Sequence, residues 1–182
     1  LVAIGLEGVG EGIDRQISEM GDLGKKHGAL ESITLNSKKH DAFWIAIRDF
    51  PKNLTKGFPN LISLKSNFLI SKIGEMLKSY EKIARGSGID CAFISHSGNG
   101  ILYTYMLADR NSRPKSDSLI KCIKKMTSEA VKNEGNLIVE SSPLSIKKKF
   151  DVWGKSRKDY PIMHRIKSCL LYTSDAADEE DS

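Results

Sequence analysis

Ile89-Asp-Cys-Ala-Phe-Ile-Ser-His96-Ser-Gly-Asn-Gly-Ile-Leu-Tyr-Thr-Tyr-Met-Leu107 sets two apolar runs on either side of Gly98-Asn99-Gly100. Asn-Gly between such runs signals a β-hairpin, because both central residues tolerate positive φ. The expected strands are Ile89–Ser95 and Ile101–Leu107, which commits the sheet to an antiparallel pair. Downstream, the polar connector 110–115 contains Pro114. It leads to a helix that opens near Ser116, carries Leu119, Ile120, Ile123, Met126, Ala130 and Val131 on one face, and stops at Gly135. A short strand is expected at Leu137–Glu140. Upstream, Leu69, Ile73, Met76, Leu77, Tyr80, Ile83 and Ala84 hold one helical face until Gly86 and Gly88 end it. Before that helix, Asn60–Leu64 interleaves Leu and Ile with Ser in the period-two manner of a half-buried strand.

The first fifty residues are read the same way. Val9, Ile13, Ile17, Met20 and Leu23 form the stripe of an amphipathic helix over 9–24, preceded by a buried strand at Leu1–Leu6 and stopped near Gly28. A strand at Ser32–Leu35 and a helix over Lys38–Phe50, closed by Pro51, complete the set. Strands, helices and one hairpin without strict βα alternation predict the α+β class. The expected architecture is a mostly antiparallel or mixed sheet with helices packed on one side and ferredoxin-like elements.

Composition narrows the class of protein. The chain has 182 residues, 40% of them hydrophobic and 28% charged, which excludes collagen-like, coiled-coil and globally disordered readings. No apolar run approaches the roughly 18 residues of a membrane span. Cys91, Cys122 and Cys169 lack metal-type spacing and make an odd set, which argues against a zinc site or disulfide framework and suits a reducing compartment. The formal charge of +5 suits an anionic partner without naming one.

Chemistry-bearing residues concentrate at the central turn. His96, Asn99 and two glycines bring a titratable ring and backbone N–H groups into one small volume, suited to a carboxylate or a flat cofactor; an ordinary hairpin with a surface histidine is the other reading. His27 near a helix end, His40 near a helix start and His164 among basic residues read as cap or surface positions. No Gly-x-Ser-x-Gly elbow or Walker loop occurs, and Gly8-x-Gly10-x-Gly12 lacks the last half of the Rossmann fingerprint. Lys147–Lys149, Lys155, Arg157 and Lys158, with Trp153 and Tyr160 interleaved, form a basic region. It supports an alternative function, a basic α+β module that binds nucleic acid.

Four blocks in order resemble the C-terminal domain of FAD-linked oxidases of the vanillyl-alcohol oxidase type, and most closely the FAD-binding accessory subunit of glycolate oxidase. They are Leu6-Glu-Gly-Val9 with Asp14-Arg-Gln16; Ser95-His-Ser-Gly-Asn-Gly-Ile-Leu102; Glu134-Gly-Asn-Leu-Ile-Val-Glu140 followed by Pro143; and Phe150-Asp-Val-Trp-Gly154 with Ile162-Met-His-Arg-Ile-Lys167. The resemblance implies that residues 1–168 are the cap and substrate domain of a flavoprotein whose missing N-terminal domain holds most of the FAD. It implies oxidation of a small 2-hydroxy acid such as glycolate or lactate, in a complex with a catalytic flavoprotein subunit and an iron–sulfur subunit. The location implied is cytoplasmic, with attachment to the inner membrane through partner subunits as an option. It places His96, Asn99, Tyr103 and Glu140 toward cofactor and substrate. In metal-bearing relatives Tyr103 and Ser141 are replaced by histidines, so the resemblance implies no metal here, and no activity for this chain alone.

Both ends read as artificial. The chain opens at Leu1 within or just before an apolar run, and residues 169–182 resemble a translated library-adapter sequence, replacing the family's closing Asp-Pro and Asn-Pro-Gly. That tail holds five of the 23 acids and none of the 28 basic residues, so residues 1–168 carry 28 basic against 18 acidic side chains, a net of +10. Without Cys169 the odd cysteine also disappears.

Overall fold

A computed structural model describes residues 1–107, 116–149 and 160–170. The polar connector before Ser116, the Asp-Val-Trp-Gly block and the acidic tail lie outside them. The chain divides into two compact units, Leu1–Phe50 and Pro51–Ser182.

In the first unit, α1 (Gly10–Lys26) forms on the expected stripe, with His27 as its C-cap. Neither expected strand forms: residues 1–9 and 29–36 are irregular, and Leu1, Val2, Ile4 and Ile33 are exposed. Apolar residues make a strand only where a neighbouring strand completes the hydrogen-bond ladder, and this unit contains none among its described residues. The second helix, α2 (Ser37–Gly57), does not stop at Pro51 but runs through it. Proline costs a helix one donor and one steric clash. The turns beyond it resume bonding, with Phe58 N–H donating to the Leu54 carbonyl at 2.8 Å and the Thr55 hydroxyl to the Lys52 carbonyl at 2.7 Å.

The second unit has the expected layers. In chain order come β1 (Ile62–Asn67), a 3-10 turn at Ile70–Lys72, α3 (Ile73–Gly86), β2 (Cys91–His96), β3 (Ile101–Met106), α4 (Ser116–Lys132), β4 (Asn136–Ser141), α5 (Leu144–Lys147) and α6 (Tyr160–Leu170). The sheet order is β2-β3-β1-β4 and every neighbouring pair is antiparallel. Two interleaved βαβ units of this kind are the ferredoxin-like arrangement.

Period-two alternation sends Ile62, Leu64, Leu102, Met106, Leu137 and Val139 to one face. There they meet Ile73, Met76, Tyr80 and Ala84 of α3 and Cys122, Ile123, Met126 and Ala130 of α4. Each large apolar side chain buried this way contributes about 1.5–3 kcal/mol. A buried hydroxyl bridges this core. The Tyr80 hydroxyl lies 3.0 Å from Ser66 Oγ and donates to the Met126 carbonyl at 3.2 Å, tying α3 to β1 and α4. Burial pushes the Tyr80 phenol above its ordinary range.

The β2–β3 connection differs from the two-residue turn that Asn-Gly suggests. His96 pairs with Ile101, leaving a loop of Ser97, Gly98, Asn99 and Gly100 in which 97–99 form a 3-10 turn and Gly100 alone takes positive φ, +68°. The Ser95 hydroxyl donates to the Ile101 carbonyl at 3.1 Å across the loop mouth. Asn99 therefore sits in the right-handed part of the turn, and the left-handed demand falls on one glycine.

Burial, reinforced by Cys122 and Asp90, pushes the Cys91 thiol from 9.0 up to about 12. Burial, then Glu140 and Tyr103, pushes the Tyr105 phenol from 10.0 up to about 12. Both groups are neutral when protonated, so the fold favours the protonated form and the unfolded chain gives up these protons first. Their contribution is complete below about pH 9 and is lost as pH rises toward 12. Thermal unfolding of the full chain should show Tm falling across that window, with Cys91→Ala removing part of the fall. A Tm constant from pH 9 to 11 would contradict this.

Candidate functional site

With α3 and α4 on one face, the other face of the sheet takes the alternate residues of every strand. The registers place His96 of β2 beside Ile101, and Tyr103 of β3 between Ile94 and Lys65. They place Lys65 of β1 between Tyr103 and Ile138 of β4. The ladder between β1 and β4 slips between Ser63 and Leu64, opposite Ser141 and Val139, so Glu140 is left as an extra residue at a bulge. Bulges re-aim side chains, and here the Glu140 carboxylate lies 4.0 Å from Lys65 Nζ.

The result is a row with one side chain from each strand. The His96 and Tyr103 rings stand edge to face at 5.8 Å, the Lys65 ammonium lies 5.7 Å from the Tyr103 ring centre, and Glu140 follows. Tyr105 stacks beside Tyr103 at 6.3 Å with an interplanar angle of 7°. It is buried and remains a neutral phenol through physiological pH. His96 and Glu140 are exposed and Tyr103 and Lys65 half-buried, so the row presents an imidazole, a phenol, an ammonium and a carboxylate.

Three of the four residues expected at the site, His96, Tyr103 and Glu140, thus share one face. Asn99 lies in the exposed turn just beyond His96, and among the described residues its side chain makes no hydrogen bond. Lys65 and Tyr105 were missed. Tyr105 lies two residues beyond Tyr103 on the same strand, outside the Ser95–Leu102 block, and Lys65 lies past the end of the strand expected at Asn60–Leu64. Among the described residues no three His, Cys, Asp or Glu side chains come together.

The other candidates stay apart from this row. Lys147, Lys148 and Lys149 are exposed, and Lys149 Nζ lies 3.9 Å from Asp117; Trp153, Lys155, Arg157 and Lys158 lie outside the described residues. Gly8-x-Gly10-x-Gly12 opens α1 after an irregular segment, so it lacks the strand that a dinucleotide loop requires. In the first unit a depression of about 450 Å³ is lined by Gly5, Leu6, Glu7, His40 and Trp44. There the Trp44 indole N–H donates to His40 Nε2 at 3.0 Å. His164 is exposed on α6.

An antiparallel sheet that packs two helices on one face and carries a polar and aromatic row on the other defines a ferredoxin-like α+β domain. The family model described as FAD linked oxidases, C-terminal domain, matches residues 1–170, and the chain belongs to that family. It is part of a flavoprotein oxidase, whose cofactor is FAD. No curated protein matches the chain. No helix among the described residues is long and apolar enough to cross a membrane.

Proposed function

We propose that this chain forms the substrate side of a flavoprotein that oxidises a small 2-hydroxy acid such as glycolate or lactate. In this reading it belongs to the accessory FAD subunit of a glycolate-oxidase-like complex, beside a catalytic flavoprotein subunit and an iron–sulfur subunit. The observation that carries the reading is the four-strand row on the open face of a domain in the FAD-linked oxidase family.

The donor set suits a flat ring and a small anion. Tyr103 and the stem of Lys65 give a floor that is part aromatic and part aliphatic, and the ammonium and imidazole supply charge-assisted donors at its edge. It does not suit a pyrophosphate, because the described residues include no glycine loop between a strand and a helix. The phosphates and adenine of FAD are therefore assigned to a separate FAD-binding half. When bound, FAD accepts the hydride equivalent lost from the substrate α-carbon. This domain orients the substrate and excludes water from one side. In this reading the His96 imidazole and the Tyr103 phenol are the groups that would exchange the proton of a substrate hydroxyl. Asn99, at the tip of the same hairpin, stands at the rim.

Anaerobic mixing of the full-length, flavin-loaded subunit that contains this chain with glycolate or lactate should bleach the visible absorbance of its oxidised flavin. A subunit whose flavin is bleached by no small 2-hydroxy acid would overturn the proposal.

A further inference from the structure

Among the described residues Lys65 is the cation of the row and Glu140 its anion, 4.0 Å apart, with the side chains 29% and 37% exposed. The neighbours across the ladder are neutral: Tyr103 on one side and Ile138 on the other. Tyr105, whose phenol stays protonated, adds no charge. The pair is therefore close to electrically neutral and half open to solvent. An incoming carboxylate finds one ammonium to bind, next to a carboxylate that repels any further negative charge.

Two unit charges a few ångströms apart, partly screened by solvent, bias which ligands bind without abolishing binding. The bulge keeps Glu140 out of the ladder and beside Lys65, so the repelling group is fixed by the backbone.

We propose that Lys65 anchors the substrate carboxylate and that Glu140 restricts the site to monoanionic 2-hydroxy acids, rejecting dicarboxylic ones. The assignment rests on the open face being the substrate side. Lys65 is then a uniform binding contact, the same in ground and transition states, and its loss moves KM and leaves kcat. Glu140 acts on the charge of what binds: neutralising it favours a second carboxylate more than a first.

The test uses the full-length, flavin-loaded subunit that contains this chain, free of the other flavoprotein subunit, with lactate as the monoanion and malate as the dianion, read by bleaching of its own flavin. Lys65→Met should raise KM for lactate on the order of 10–100-fold, the range for a hydrogen bond to a charged group, with kcat nearly unchanged. Lys65→Arg should restore most of the loss. Glu140→Gln should raise the malate-to-lactate ratio of kcat/KM about 10-fold. If lactate bleaches the wild-type flavin but Lys65→Met keeps the wild-type KM, the anchor assignment fails and the substrate reading stands. If Lys65→Met behaves as expected and Glu140→Gln leaves the ratio unchanged, the charge filter fails. If no 2-hydroxy acid bleaches the wild-type flavin, the substrate reading fails first and takes the anchor with it.

Discussion

Replacing Gly100 by alanine is expected to cost the fold about 3 kcal/mol or more, among the largest effects a single methyl group can have here. Gly100 has φ +68°, and a Cβ built on it would stand 2.1 Å from the Phe68 carbonyl oxygen. That oxygen cannot swing aside as a side chain would. The Phe68 N–H donates to the Gly100 carbonyl at 2.8 Å, so the two backbones are already held against each other where β1 ends and the hairpin turns. The substitution must break that bond or distort the turn that carries His96 and Asn99. Gly98, two positions earlier in the turn, has open space around it and no positive φ, so Gly98→Ala should be nearly neutral. Urea unfolding of the full chain compares the two. A Gly100→Ala midpoint indistinguishable from that of Gly98→Ala would refute the argument.

Gly135→Ala should cost about 2–3 kcal/mol for a different reason. Its Cβ would lie 2.3 and 2.6 Å from two Phe68 ring atoms and 2.7 Å from the Asn67 carbonyl oxygen, without a positive φ. Most of this clash is with a side chain. The ring is confined by Tyr80, which it meets edge to face at 5.9 Å, so it cannot move freely. Phe68→Leu should therefore recover part of the loss at Gly135 and none of the loss at Gly100, where the obstacle is backbone. A double-mutant cycle on each pair measures this directly. Equal coupling in both cycles would show that the two glycines do not act on Phe68 in these distinct ways.

The residues that announced the sheet did so through alternation and glycine. Leu102 and Thr104 against Tyr103 and Tyr105, the stops at Gly86 and Gly135, and the hairpin at Gly100 each act within a few residues, so they are legible without knowing what packs on them. Leu1–Leu6 and Ser32–Leu35 misled because apolar character was read as strand where no partner strand exists. Pro51 misled because one missing donor does not end a helix whose following turns still bond.

The site was half legible. His96 and Tyr103 were within reach because one hairpin joins them, and Glu140 came from the family resemblance. Lys65 was not, for two reasons. The expected strand stopped at Leu64, whereas β1 continues to Asn67 and carries Lys65 inside it. In addition, nothing in the order β1 to β4 along the chain reveals that β1 is the strand lying between β3 and β4. Register across non-consecutive strands is set by the whole core and is written in no single stretch.

That same interleaving makes the row a checkpoint on assembly. A free hairpin would bring His96 to Tyr103, but Lys65 reaches Tyr103 only after β1 docks on β3, and Glu140 reaches Lys65 only after β4 closes the far edge. No partly built sheet offers the complete set. A ligand that needs the ammonium beside both the phenol and the carboxylate binds the finished domain alone, and its binding free energy is then added to the stability of that state. Any ligand with that requirement is therefore also a folding ligand, and its removal would leave a less stable domain.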